Sequence, residues 1–253
     1  GKSTAKGYIW AALANHLKLV HFFYENGSRS RKVLTGYLRE DYRGAIQSDG
    51  LGNYKIIEKE AYPDAIRLSC FQHCKRKFLN ITGNKDAEKI VRIINRLYQN
   101  EHRIPPDWTA SQILDYRNKY APPILKELKK ELINIKNKKS TLPKSELSKA
   151  INYTLNEYDA LCNYIRSADY APDNNAIERL MRYISLSRRN SLFCGSHQGA
   201  KRAALIYSLA CSCRLNNINS FEYFKDLLTK LIDINPNTDH ETIRNLLPHK
   251  WQR

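Results

Sequence analysis

From Asp86 the apolar pattern of this chain, mixed upstream, becomes helical only, and that change limits what it can fold into. Upstream, Tyr8 to Ala14 and Leu17 to Tyr24 read as two adjacent strands. The second is nearly continuous in Leu, Val, Phe and Tyr, the pattern of a buried central strand. Asn26-Gly27-Ser28 is a turn, and Val33, Leu34, Tyr37 and Leu38 give a helical stripe weakened by Gly36. Gly44 to Gly50 reads as a short strand ending in an acid, Asp49, and Ala65 to Phe71 as a further strand. From Asp86 to about Lys139 the pattern is helical only. Ile90, Ile94 and Leu97 form one stripe. Leu125, Leu128, Leu132 and Ile135 form another, on a helix that also carries Lys126, Lys129, Lys130, Lys136, Lys138 and Lys139. Pro105-Pro106 and Pro122-Pro123 punctuate this block. A third stripe, Leu147, Ile151, Thr154, Tyr158, Leu161 and Ile165, leads to Asp173. Beyond Gly199 a helix is apolar almost all round, which predicts burial, and Asn219 to Asp233 is a last amphipathic helix.

Composition narrows the partner. Lys plus Arg is 42 against 25 acidic residues, a net charge of +17, which points to a polyanion. Nucleic acid is the first reading. An anionic membrane surface is the weaker one, because no basic amphipathic end segment stands out and no apolar run is long enough to span a bilayer. The six cysteines include no pair of CxxC motifs, which argues against a four-ligand zinc site. Cys70, His73 and Cys74 read as core thiols and a polar contact in a reducing cytosol, with partial metal ligation the alternative. Gly1-Lys2-Ser3-Thr4 looks like the tail of a phosphate-binding loop, but a strand follows it and the preceding glycines are absent.

The densest chemistry lies in Asp173-Asn174-Asn175-Ala176-Ile177-Glu178-Arg179. Pro172 and the Asp/Asn cluster are helix-start residues, and Ile177, Leu180, Met181 and Ile184 have helical spacing. Asn174 and Asn175 then share a face with Glu178, an oxygen-rich set that suits a hard cation. The plainer reading makes Asn175 an N-cap with Glu178 closing a capping box, or pairs Glu178 with Arg182. Asp173 has two roles open to it, helix cap and metal ligand, and the cap is expected. Asp49 is either the start of an ordinary Asp-Gly turn or an acid presented at the C-terminal end of a strand, where α/β sheets bind ligands. Lys75-Arg76-Lys77 either grips phosphates or forms a solvated face.

Further motifs follow in order. They are Arg188-Arg189-Asn190-Ser191-Leu192-Phe193-Cys194-Gly195-Ser196, then Ala204-Leu205-Ile206-Tyr207-Ser208-Leu209, and a Leu246-Leu247-Pro248-His249-Lys250-Trp251 end. With Asp173–Arg179, with Gln47-Ser48-Asp49-Gly50 and Tyr54, and with Cys70-Phe71-Gln72-His73-Cys74-Lys75-Arg76-Lys77-Phe78, they resemble the catalytic region of the transposases of the bacterial insertion-sequence family whose type member is numbered sixty-six. The chain departs from that pattern at Leu51, where Tyr is usual, at Phe71 for Trp, and at Arg189 for Lys.

The resemblance implies a DDE transposase of ribonuclease H-like fold, a mixed α/β sheet with an all-α insertion and a helical C-terminal part. The order of strands, acid-tipped strand, helical block and acid on a helix fits that fold. Residues 1–79 would be the N-terminal part of the catalytic domain, 80–143 the insertion, 144–216 the rest of the domain with the helix bearing Glu178, and 217–253 the extension. Asp49 and Glu178 would be catalytic acids and ligands of two Mg²⁺ or Mn²⁺ ions, with His73, Asp173, Asn174 and Asn175 in support. Lys75, Arg76, Lys77, Arg179, Arg182, Arg188, Arg189, Lys201 and Arg202 would contact duplex DNA at transposon ends and target. The family's first aspartate lies upstream of the stretch matching Lys6 to Trp10, so this chain is expected to be an inactive fragment without it. A homo-oligomer on DNA, in a bacterial cytoplasm and associated with the nucleoid, is the expected setting. Two other functions share the sequence features: a non-catalytic DNA-binding remnant or accessory protein of a mobile element, and a ribonuclease H-like nuclease.

Overall fold

Strand patterning upstream and helical patterning downstream become, in a computed structural model, a mixed α/β fold that is mostly helical with small sheets. The structure describes residues 6–27, 30–49 and 62–252. Gly1 to Thr4, Ser28, Leu51 and Tyr54, on which sequence readings rested, lie outside the described residues. In chain order the elements are β1 (Tyr8–Ala14), β2 (Leu19–Glu25), α1 (Arg31–Tyr37), β3 (Ala45–Gln47), β4 (Ile66–Leu68), α2 (Phe71–Leu79), α3 (Lys85–His102), α4 (Ala110–Lys136), α5 (Glu146–Asn156), α6 (Tyr158–Cys162), α7 (Asn175–Ser187), α8 (His197–Leu215), α9 (Ser220–Lys230) and α10 (His240–Asn245). They form two compact units, Ser30–Asn175 and the combination of Gly1–Arg29 with Ala176–Arg253.

In the split unit, β1 and β2 pair antiparallel from Tyr8↔Glu25 to Ala14↔Leu19. The turn between them puts Lys18 at φ 49, the left-handed conformation that reverses the chain. Val20 and Phe22 are buried while His21 is exposed. The expectation of a buried central strand is therefore corrected. Among the described residues β2 belongs to a two-stranded hairpin with one buried face. Its outer edge is covered by α8. Phe22 N–H donates to Ser208 Oγ at 2.8 Å, and Val20 N–H donates to Ser212 Oγ at 3.1 Å. Asn216 Nδ2 donates to Lys18 O at 2.9 Å. Four residues of helix rise about 6 Å and two residues of strand about 6.6 Å, so side chains at i, i+4 and i+8 meet every second strand residue. The hydroxyls stand where a third strand would have bonded, which protects the edge from other chains.

α8 also corrects a second expectation. Its buried stripe is Ala200, Ala204, Ser208, Cys211 and Ser212, whereas Leu205 and Ile206 are 57% and 56% exposed. An apolar composition on all sides does not decide which side is covered. α7 joins the same core through Leu180 and Ile184. A second cluster seats α9 and the chain end through Cys213, Tyr223, Leu227, Leu246 and Trp251, with Trp251 Nε1 donating to Asp226 Oδ2 at 2.8 Å.

The Ser30–Asn175 unit has its core between helices. Phe71, Cys74 and Phe78 of α2, Ile90, Ile94 and Leu97 of α3, Leu128, Leu132 and Ile135 of α4, and Leu147 and Ile151 of α5 pack together. Asn84 caps α3, a Thr109/Gln112 capping box starts α4, and Ser145 caps α5. The sequence reading had Pro122-Pro123 punctuating the block, yet α4 runs through them for 27 residues. Each proline removes one helical hydrogen bond, here from the Asn118 and Lys119 carbonyls, at a cost of about 3 kcal/mol. Ala121, Ile124, Leu125, Leu128, Leu132 and Ile135 are all buried on this helix. At about 1.5–3 kcal/mol per buried Leu or Ile, that stripe outweighs both prolines. The third stripe, by contrast, breaks at Glu157 into α5 and α6.

Candidate functional site

β3 and β4 are parallel, with Ala45↔Ile66, Ile46↔Arg67 and Gln47↔Leu68. Their C-terminal ends therefore emerge on the same side. Past β3, Ser48 N–H donates to Leu68 O at 3.2 Å, and Asp49 follows. Asp49 is half-buried. Its Oδ1 is shut off from solvent and has no hydrogen-bond partner among the described residues. Past β4, Ser69 N–H donates to Ala160 O and the chain turns into α2 at Phe71.

A third segment, Ala171 to Asn174, is laid against these strand ends. Gln47 Nε2 donates to Ala171 O at 2.7 Å, and Phe71 N–H donates to Pro172 O at 3.0 Å. Upstream, the Arg117 guanidinium donates to Ser167 O at 2.7 Å while pairing with Glu101 at 2.6 Å. Asn174 Oδ1 is buried and, like Asp49 Oδ1, lacks a partner among the described residues. Two buried oxygens without donors carry a desolvation cost that a cation or a donor would relieve. Both are hard ligands of the kind Mg²⁺ takes, so this part of the unit fits such an ion. Within each unit, the described residues gather no group of three or more His, Cys, Asp or Glu side chains that could hold a metal.

α7 begins where that segment ends. Asp173 Oδ1 accepts from Asn175 N–H at 3.0 Å, and Oδ2 from Asn175 Nδ2 at 2.9 Å. Asp173 thus acts in the helix start, and Asn175 is the first helical residue rather than the N-cap. Asp173 also charges its surroundings: burial first, and then this carboxylate, push the Tyr98 hydroxyl up from its ordinary value. Glu178 lies in the first turn of α7, half-buried. Asp49 belongs to the Ser30–Asn175 unit and Glu178 to the other.

The cations of the split unit are presented differently from those of α2. Arg179 and Arg182 on α7, Arg188 and Arg189 after it, and Lys201 and Arg202 on α8 are all exposed. None pairs with an acid among the described residues. The turn between α7 and α8 depends on two glycines. Gly195 has φ +72, and a Cβ on Gly199 would collide with the Cys194 carbonyl oxygen. Ser196 then caps α8 by accepting from Gly199 N–H at 3.0 Å. On α2, Lys75 Nζ lies 5.8 Å from the Tyr98 ring centroid and Lys77 Nζ 4.4 Å from that of Tyr153, while Arg76 is exposed. Neighbouring Cys70 and Cys74 are buried, and burial pushes both thiols up, Cys74 to about 12. A metal-binding thiolate needs the opposite shift, so these behave as core thiols, with His73 beside them half-buried.

Sequence reasoning missed Gln47 and Arg117, which hold the segment leading to α7. Gln47 sits in the motif around Asp49, so a signal existed. Arg117 carried none, because a lone Arg on a predicted helix is ordinarily exposed.

The uncharacterized protein y4jD of Sinorhizobium fredii (strain NBRC 101917 / NGR234) is 31% identical over 83% of this chain and 42% of its own length. Two more uncharacterized proteins of that strain, y4hP and y4qI, are 27% and 26% identical over 90% and 96% of this chain and 42% and 47% of their own lengths. The chain thus spans less than half the length of these curated relatives. No solved structure matches it. The family model described as Transposase IS66 family matches residues 1–202, and the chain belongs to that family.

Proposed function

We propose that this chain is the catalytic part of a DDE transposase of ribonuclease H-like fold, which cleaves DNA at insertion-sequence ends and joins it to a target. The observation that carries the reading is Asp49 Oδ1, a buried carboxylate oxygen without a partner among the described residues, at the C-terminal end of a parallel strand pair. Asp49 and Glu178 would hold the divalent ions, Mg²⁺ or Mn²⁺, with Asn174 Oδ1 in support. When bound, the ions supply activation of the attacking oxygen and charge stabilisation on the leaving one. The rest falls to the chain. Gln47 and Phe71 fix the segment that enters α7, and Asp173 fixes the start of the helix, so that the Glu178 carboxylate is oriented before substrate arrives. Arg179, Arg182, Arg188, Arg189, Lys201 and Arg202 neutralise phosphates and set the duplex in register, as Lys75, Arg76 and Lys77 do from α2. Residues 80–143 act as the all-α insertion between the two acids.

Metal binding and DNA binding are the two properties of this chain that the reading predicts. A non-catalytic DNA binder is the competing reading, favoured by the exposed cations of α7, the turn and α8 alone. Thermal unfolding with Mn²⁺ separates the two. The ion raises Tm if it binds only the folded chain, and Asp49→Asn or Glu178→Gln abolishes the rise. Equal shifts in wild type and both variants would refute the acids' assignment.

A further inference from the structure

A groove of ≈ 380 Å³ opens between α3 and α4 in the Ser30–Asn175 unit. Arg96, Gln99, Asn100 and Arg103 line it from the α3 side, and Lys119 and Tyr120 from α4. No acid lines it. Arg96 is held in place by Glu127, with Nη1 2.9 and 2.7 Å from the two carboxylate oxygens. Arg103 and Lys119 have no acid partner among the described residues, and the Lys119 Nζ lies 5.3 Å from the Tyr120 ring centroid. Pro123 lines the same groove, next to the carbonyls of Asn118 and Lys119 that the prolines leave without a helical donor.

Tyr120 is 43% exposed, although a ring of that size gains by burial. It ends a row of aromatic rings. Tyr116 lies 4.5 Å from Tyr120 between centroids, and Trp108 lies 5.5 Å from Tyr116. Positions 116 and 120 are one helical turn apart, so the row follows one face of α4 beyond the groove. Cations alone would serve any duplex backbone. A partly exposed ring beside them serves something a duplex hides, the face of an unstacked base. The row also extends further than a single free nucleotide needs.

We infer that the α3–α4 groove binds single-stranded DNA, with phosphates on Arg103 and Lys119, bases stacked on Tyr120 and Tyr116, and base edges within reach of Gln99 and Asn100. This rests on the reading of the chain as a DNA-acting protein and adds a contact inside the helical insertion. It separates two kinds of DNA contact, duplex on the exposed cations of α7 and α8, and single strand here.

Fluorescence anisotropy on the full chain tests it with a labelled oligothymidylate of roughly 12 nucleotides and a duplex of equal length. Tyr120→Ala should weaken oligothymidylate binding by about tenfold or more, leaving duplex affinity and Tm unchanged. Tyr120→Phe, which keeps the ring, should bind within about twofold of wild type by the same stacking logic. Replacing Arg103 and Lys119 by Ala should flatten the salt dependence of single-strand binding by about 1.4 in log–log slope. Unchanged oligothymidylate binding by Tyr120→Ala overturns the inference, as does an equal loss on duplex. Tighter, Tyr120-dependent binding of an oligouridylate overturns the assignment to DNA. Wild type that binds duplex and not the single strand sinks this inference alone, and wild type that binds neither sinks the DNA reading with it.

Discussion

The Ser30–Asn175 unit and the split unit both carry many cations, yet they spend them differently. In the first, cations are tied to acids on neighbouring elements. Lys89 pairs with Glu131, Arg96 with Glu127 and Lys138 with Asp86 across α3 and α4. Arg117–Glu101 and Arg67–Glu157 do the same out of solvent, Glu157 being 1% exposed. Lys138, read from sequence as part of a basic face, is thus committed to a helix contact. In the split unit, the arginines and lysines of α7, the turn and α8 face solvent without acids among the described residues. Net charge alone would have rated the two regions alike. Pairing shows that the cations bridging α3 and α4 fix helices, whereas those of α7, the turn and α8 are left open to an anion.

The largest expected effect comes from breaking a buried pair. Arg117→Ala leaves Glu101 half-sequestered and frees the Ser167 carbonyl, and should cost about 3–5 kcal/mol in urea unfolding. Duplex DNA affinity measured well below the transition should not change. If it falls as well, the division between structural and binding cations fails.

Next comes the opposite experiment. Replacing Arg188, Arg189, Lys201 and Arg202 together by Ala should leave stability within about 0.5 kcal/mol per site. Duplex binding at low salt should drop on the order of a hundredfold, and the salt slope should flatten by about 3.6 if each cation meets one phosphate. A control, Lys89→Ala with Lys138→Ala, should leave the slope nearly as it was. Matching losses from both sets would erase the contrast.

Ser208→Val tests how the hairpin and α8 of the split unit are held together by side-chain hydroxyls. It leaves the buried Phe22 N–H without its acceptor and should cost about 1–3 kcal/mol. Ser208→Thr keeps the hydroxyl and should cost less by thermal melting. An equal cost for both would mean that packing, and not the edge hydrogen bond, matters there.

The effect confined to one condition is on pH. The Cys74 thiol rises from 9.0 to about 12 on burial. Between those values the unfolded chain has lost the proton and the folded one keeps it. The stability is therefore full below pH 9 and falls as pH rises toward 12, by at most about 1.4 kcal/mol per pH unit for this group. Cys74→Val should flatten that fall in urea unfolding at alkaline pH, and a slope identical to wild type would contradict the assignment.

The helical stripes at Ile90–Leu97 and Leu125–Ile135 were legible because period and burial coincide there, and the hairpin strands because their apolar runs are short and adjacent. Other features depend on what packs against what. Leu205 and Ile206 cannot be told from core residues by periodicity. Pro122-Pro123 reads as a stop until the buried stripe beyond it is weighed. Ser208 and Ser212 sit four apart in an apolar helix, a pattern that hints at a partner but not at a strand edge. Of the candidate site, the Asp49 and Asp173–Glu178 motifs stood out by residue type and order. Gln47 and Arg117 act through backbone carbonyls, which sequence does not mark. Arg103 and Tyr120 meet in one groove from two helices, so no local pattern joins them.

The central proposal is that Asp49 and Glu178 share one metal site. The direct measurement is an anomalous difference map at the manganese absorption edge, from crystals of the chain grown or soaked with Mn²⁺. The expected result is a peak coordinated by Asp49 Oδ1 and the Glu178 carboxylate together, absent in Glu178→Gln crystals treated alike. A peak elsewhere, or carboxylates facing different surfaces of the folded chain, would contradict the claim.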